Sequence, residues 1–138
     1  MQRLDFLIGT WMTEGEVKAG ENTSAIAFHG TDSYEWILNK TFILHKVDVT
    51  MDKEKIEAFE VIGVSDLESK KYKMRSFDSK GAFTEMEAHI DQKGVLHIVG
   101  ANMRSKLIRH SAKKLIAHWE RLVDNSEWVP WMDLQLSK

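Results

Sequence analysis

The chain has 138 residues, with 19 Lys plus Arg against 21 Asp plus Glu and a formal net charge of -2. That length suits a single domain spanning 1–138, and the near balance of charge gives no electrostatic reason to expect nucleic acid or an anionic membrane as a partner. The absence of cysteine excludes disulfides and thiolate metal sites and suits a reducing, cytoplasmic setting, and no run approaches the roughly 18 apolar residues of a membrane span.

Taken in chain order, residues 2–8 predict one or two helical turns whose Leu4, Phe6, Leu7 and Ile8 can plug the end of a barrel. This stub contains Asp5 and stops at Gly9, so it is too short for the apolar region of a signal peptide. From Thr10 onward an alternation of period two dominates, broken at polar clusters about 8 to 12 residues apart. The clusters are Asp52 to Lys55, Asp66 to Lys71, Asp78 to Gly81, Asp91 to Gly94, Ser111 to Lys114 and Asp124 to Glu127, several with the Asp or Gly that hairpin turns favour. Between them the pattern predicts strands near 9–18, 22–33, 34–50, 55–66, 70–78, 82–91, 94–102, 103–111, 113–124 and 127–137, the second and third also readable as one bent strand. Connections this short allow antiparallel neighbours but no parallel crossovers, and closure removes the two exposed edges of an open sheet. The expected fold is all-β, an up-and-down antiparallel β-barrel of about ten strands with a short N-terminal helical plug.

Charged side chains label the outer face, since an unpaired buried charge is costly. Glu14, Glu16 and Lys18 outside turn Trp11, Thr13, Gly15 and Val17 inward. Glu35 outside turns Tyr34, Trp36 and Leu38 inward, Lys73 and Arg75 turn Tyr72, Met74 and Ser76 inward, and Glu85 and Glu87 turn Thr84, Met86, Ala88 and Ile90 inward. Asp133 and Gln135 place Met132, Leu134 and Leu136 in the core. The strands at 56–64 and 95–101 are apolar on both sides, so their faces stay unassigned, and one of those faces is a candidate for cover by the N-terminal stub or a partner subunit. A ten-stranded barrel is wider than the roughly eight-stranded ones that side chains just fill. Two readings of its interior follow: a lumen packed solid, or an apolar pocket with a few polar groups.

Gly9-Thr10-Trp11 at the start of the first strand resembles the calycin signature shared by lipocalins, fatty-acid-binding proteins and nitrobindin-like domains. Together "FLIGTW", "YEWILN", "FDSKGAF", "WERLVD" and "WMDLQLSK" resemble a widespread bacterial calycin-like family of unknown function, over nearly the whole chain. The resemblance implies that Trp11 closes one end of the barrel and that an arginine from a late strand packs over it. Arg121, on the same face as Trp119, is the candidate, and Arg109 the rival, since Arg121 lies on the penultimate strand rather than the last.

Four residues form the first chemical constellation: Arg109, Arg121, Tyr34 and Tyr72. A guanidinium and a phenol inside a lumen can hold a carboxylate or phosphate head through charge-assisted hydrogen bonds, the device the resemblance to fatty-acid-binding proteins implies. The alternative is that Arg121 only satisfies backbone carbonyls and stacks on Trp11. The six histidines, His29, His45, His89, His97, His110 and His118, fall singly along the chain with no HxH or HExxH spacing, so no metal site is expected. Nitrobindin-like barrels ligate haem through a histidine near the C-terminus; here 119–138 has none, and His118 is the nearest substitute. His118 and Glu120 also form an i, i+2 pair of base and carboxylate, but no nucleophile elbow, phosphate loop or carboxylate cluster accompanies them.

In "EWVPWMD", Trp128, Pro130 and Met132 are expected inside and Val129 and Trp131 outside, where Trp131 would mark an oligomer interface or the barrel mouth. Pro130 lacks a donor for the ladder, which predicts a bulge. The leading expectation is a non-enzymatic barrel, without cofactor, binding a small, largely apolar molecule of lipid or fatty-acid-like type, with Trp11, Tyr34, Trp36, Tyr72, Met74, Met86, Arg109 and Arg121 at the pocket. The alternatives are a haem-binding or enzymatic barrel using a lumen histidine, and a filled barrel that acts as a protein interaction module or homo-oligomer.

Overall fold

The alternating segments form ten strands in a computed structural model, which describes residues 2–66 and 70–138. They are β1 (Gly9–Val17), β2 (Ile26–Ile37), β3 (Phe42–Met51), β4 (Glu54–Asp66), β5 (Lys71–Asp78), β6 (Phe83–Ile90), β7 (Leu96–Val99), β8 (Met103–Ser111), β9 (Lys114–Val123) and β10 (Glu127–Ser137). Each pairs antiparallel with its sequence neighbours and β10 pairs back onto β1, giving a closed barrel. Closure satisfies the ladder groups that an edge strand would expose.

Local chemistry sets the reversals. Asp52 and Lys53 both have positive φ (47° and 68°), making a two-residue hairpin loop between Met51 and Glu54 whose backbone twist matches that of the flanking strands. One device serves twice: Asp78 and Asp91 each accept two backbone N–H groups on Oδ1, from Lys80 and Ala82 and from Lys93 and Val95. Gly81 and Gly94 follow at φ 84°, a conformation L side chains rarely adopt. The turn expected over Asp66 to Lys71 lies largely outside the described residues.

The second and third strands depart from expectation. The chain reverses at residues 38–41, where Leu38, Asn39 and Lys40 all have positive φ (50°, 56° and 61°) and the Thr41 N–H donates to the Leu38 carbonyl at 3.1 Å. Tyr34, Glu35, Trp36 and Ile37 therefore end β2 rather than begin β3. Leu38, expected inside, sits on the turn at 69% exposure. Apolar residues flank this turn closely on both sides, and only Asn-Lys-Thr marks it. β2 also starts at Ile26, later than expected, after a loop in which the Gly20 N–H donates to the Thr23 carbonyl.

The N-terminal plug is a 3₁₀ helix, Gln2–Leu7, rather than an α-helix. Its i, i+3 side chains eclipse, so Leu4 and Leu7 point together into the barrel and are fully buried with Trp11, Ile43, Ile62 and Leu115. The core is densest at this plugged end. Strands β4 and β7, unassigned from sequence, turn Ile62, Leu96 and Ile98 inward. Their outer faces remain partly open: Val99 is exposed, and Phe59, Phe77 and Phe83 form a row across β4, β5 and β6 with ring centroids 5.4 and 5.1 Å apart.

The register of β10 shifts between Pro130 and Met132, as the proline predicts. The extra residue reverses the expected facing on its N-terminal side. Trp128 lies outside with the Arg104 guanidinium 4.2 Å over its ring, and Trp131 turns into the lumen.

Candidate functional site

Inward alternation from all sides of the barrel leaves a lumen of about 570 Å³ rather than a filled core. Met74 and Met86, directly paired across β5 and β6, form one wall. Leu107, Ala117, Trp119 and Leu134 come from β8, β9 and β10 on another. The lining ends at Val17, Ile26, Met51 and Ile56, at the strand ends away from the plug.

A polar cluster interrupts this apolar lining on β1 to β4. Register sets Tyr34, His45 and Glu60 side by side on three consecutive strands. Tyr34 stacks on the His45 ring, with centroids 4.0 Å apart and planes 7° from parallel. His45 uses both nitrogens: Nε2 donates to Asp32 Oδ1 at 2.6 Å and Nδ1 donates to Glu60 Oε1 at 3.0 Å. The Thr13 hydroxyl donates to the other Asp32 oxygen. Burial by itself lowers the pKa of His45, but the hydrogen bonds and charges of Asp32 and Glu60 outweigh it and raise the value from 6.5 to about 9. His45 is therefore an imidazolium at neutral pH, consistent with both nitrogens donating. Burial, helped by the same two carboxylates, pushes the Tyr34 phenol well above its usual range and keeps it neutral. Across the lumen, the buried Ser105 Oγ has no hydrogen-bond partner among the described residues.

Of the residues singled out from sequence, Tyr34, Met74 and Met86 line the lumen. Trp11 lies beneath it, wholly buried, its Nε1–H donating to the Leu7 carbonyl at 2.7 Å. Trp36 and Tyr72 pack into the core at the plugged end and do not line the cavity. The cation over Trp11 is neither expected arginine but Lys138, whose Nζ stands 4.3 Å from the ring and donates to the Ile8 carbonyl at 2.6 Å. Arg121 is exposed; it pairs with Met103 and Val129, at the end of β9 away from Trp11, so its side chain cannot reach the floor. Arg109 is exposed at the plugged end, its guanidinium 4.8 Å over the Phe6 ring. His118 is on the outer surface, bonded through Nδ1 to Asp133 at 2.7 Å, and that contact, with Lys18, holds the Asp133 carboxyl below its usual range.

Asp32, His45, Glu60 and Ser105 were not picked out from sequence. Alternation carries a signal for three of them: with Glu35, Lys46 and Glu57 outside, Asp32, His45 and Glu60 must face in. Splitting β2 at residue 33 hid Asp32 from the count that placed Tyr34, and the apolar character of both faces of β4 hid Glu60. Among the described residues no group of three acidic, His or Cys side chains is placed to hold a metal ion.

Several solved structures share this architecture at low identity. An S-type phycobiliprotein lyase, CPES from Guillardia theta, aligns with a TM-score of 0.70 and 10% identity over 98% of this chain and 89% of that one. A de novo designed fluorescence-activating β-barrel gives 0.54 and 12% over 100% and 98%. The redesigned barrel mFAP1, bound to DFHBI, gives 0.54 and 8% over the full length of both chains. At such identities the likeness is one of fold. No curated protein matches the sequence. A family model does, over residues 1–136, and the chain belongs to that family, DUF1579, described as proteins of unknown function.

Proposed function

We propose that the barrel binds a small, largely apolar molecule in its lumen. The observation that carries this reading is the cavity itself: about 570 Å³, within the roughly 300 to 1,000 Å³ of small-molecule pockets, with mainly apolar walls and a few convergent polar groups. That the same architecture occurs in a phycobiliprotein lyase and in barrels designed to activate a fluorophore supports a ligand-holding use of the fold.

A lipid-like body suits the methionine, leucine and tryptophan walls. The fatty-acid device of an arginine inside the lumen does not, because Arg109 and Arg121 both lie outside it. A histidine does face the lumen, but both nitrogens of His45 are bound to carboxylates, leaving no lone pair for haem iron. With Trp131 turned inward, the aromatic contact invoked for a second copy is also withdrawn.

Native mass spectrometry of protein purified gently from cells tests the proposal without presupposing a ligand class. The expected result is a discrete added mass of a few hundred daltons that is lost on mild activation. Bare protein that also fails to take up a neutral apolar dye such as N-phenyl-1-naphthylamine overturns it.

A further inference from the structure

The lumen's polar groups have an uneven charge balance. Asp32 and Glu60 bring two carboxyl groups against one imidazolium, and no lysine or arginine lines the cavity among the described residues. His45 is fully committed, one nitrogen to each carboxyl group. Asp32 receives Thr13 on one oxygen and His45 on the other. Among the described residues His45 takes only Oε1 of Glu60, which leaves Oε2 to accept another donor. The second observation lies on the opposite wall. Ser105 is 4% exposed, lines the same cavity, and has a hydroxyl with no partner among the described residues. It sits on β8, five strands from the β3 position of His45 in either direction around the barrel. A buried hydroxyl without a partner is uncommon in folded proteins and marks a place for a missing group.

We infer that the lumen is built for an apolar molecule bearing a protonated amine, with Glu60 accepting from the ammonium group and Ser105 meeting a second polar atom of the ligand across the cavity. This rests on the reading of the lumen as a binding site and adds the chemical class of the ligand's polar end. An ammonium balances the surplus carboxylate and supplies N–H donors to a free oxygen. A carboxylate head would instead be buried beside two acidic groups with no unspent cation, an arrangement low-dielectric surroundings penalise strongly.

The test compares three probes of equal chain length, dodecylamine, dodecanol and dodecanoate, the ionic two below their micelle concentrations and the alcohol below its solubility limit at neutral pH, by displacement of N-phenyl-1-naphthylamine from the unmodified protein. Dodecylamine is expected to bind about tenfold more tightly than dodecanol, the scale of one charge-assisted hydrogen bond, and dodecanoate to bind most weakly. Glu60→Gln is expected to bring dodecylamine down to the affinity of dodecanol. Dodecanoate binding as tightly as dodecylamine overturns the inference and leaves the apolar-ligand proposal standing; an amine preference that survives Glu60→Gln also overturns it. Failure of the dye and all three probes to bind overturns the proposal on which it rests. The three-probe comparison on the unmodified chain decides even if Glu60→Gln does not fold.

Discussion

His45 concentrates the barrel's electrostatics at one side chain. Its folded-state pKa of about 9 lies above the 6.5 of an unperturbed imidazole, so the folded state holds the proton more tightly than the unfolded chain. The resulting stabilisation is fully present below about pH 6.5 and is lost as pH rises toward 9, on the order of 3 kcal/mol in total. Urea unfolding followed from pH 6 to pH 10 should show the midpoint falling across that window. His45→Leu leaves Asp32 and Glu60 without their cation, and is expected to cost about 3 to 5 kcal/mol at pH 7 and to flatten this part of the profile. A midpoint independent of pH in the unmodified protein contradicts the account of the cluster. Of its members only Tyr34 was placed inward from the charge beside it; the split at residue 33 hid Asp32, and the apolar character of both faces of β4 hid Glu60. What sequence could not show is that the register of β2, β3 and β4 lays Tyr34, His45 and Glu60 in one row, because cross-strand register depends on where each turn falls.

At the scale of elements, the turns and the plug carry the specificity of the fold. Asp78 to Gly81 and Asp91 to Gly94 were readable because their chemistry is local: an Asp that caps two amides and a Gly at positive φ. The reversal at residues 38–41 was not, because three non-glycine residues take positive φ there under the constraint of the flanking strands. At Pro130 the bulge was legible from the missing N–H, but its consequence, the inversion that brings Trp131 inside, was not. The plug holds the closed end through Leu4 and Leu7 under Trp11. Leu7→Ala removes a fully buried side chain and is expected to cost about 2 to 5 kcal/mol in urea unfolding, while Phe77→Ala on the exposed aromatic row should cost about 1 kcal/mol or less. Equal effects from the two substitutions contradict the placement of the core at the plugged end.

Across the whole molecule, ten strands pair in sequence order and close on themselves, and this much follows from period two, short connections and the cost of open edges. Whether the lumen is filled or hollow does not follow from the same pattern. It depends on where along the barrel the large rings fall. Trp11, Trp36 and Tyr72 gather at the plugged end, while Ala117, Ser105 and Thr13 stand among the residues that leave space. The expected arginine anchors fall outside the cavity because alternation sets the face of a residue but not its height along the barrel. The most direct test of the central claim is titration of N-phenyl-1-naphthylamine, read by dye fluorescence, into the unmodified protein and into Ala117→Phe, which projects a ring into the cavity from a buried position on β9. Saturable binding by the unmodified protein that falls at least about tenfold in the variant, with overpacking costing only about 1 to 3 kcal/mol of stability, is the predicted result. Equal binding by both proteins would place the dye on the outer surface and contradict a ligand-holding lumen.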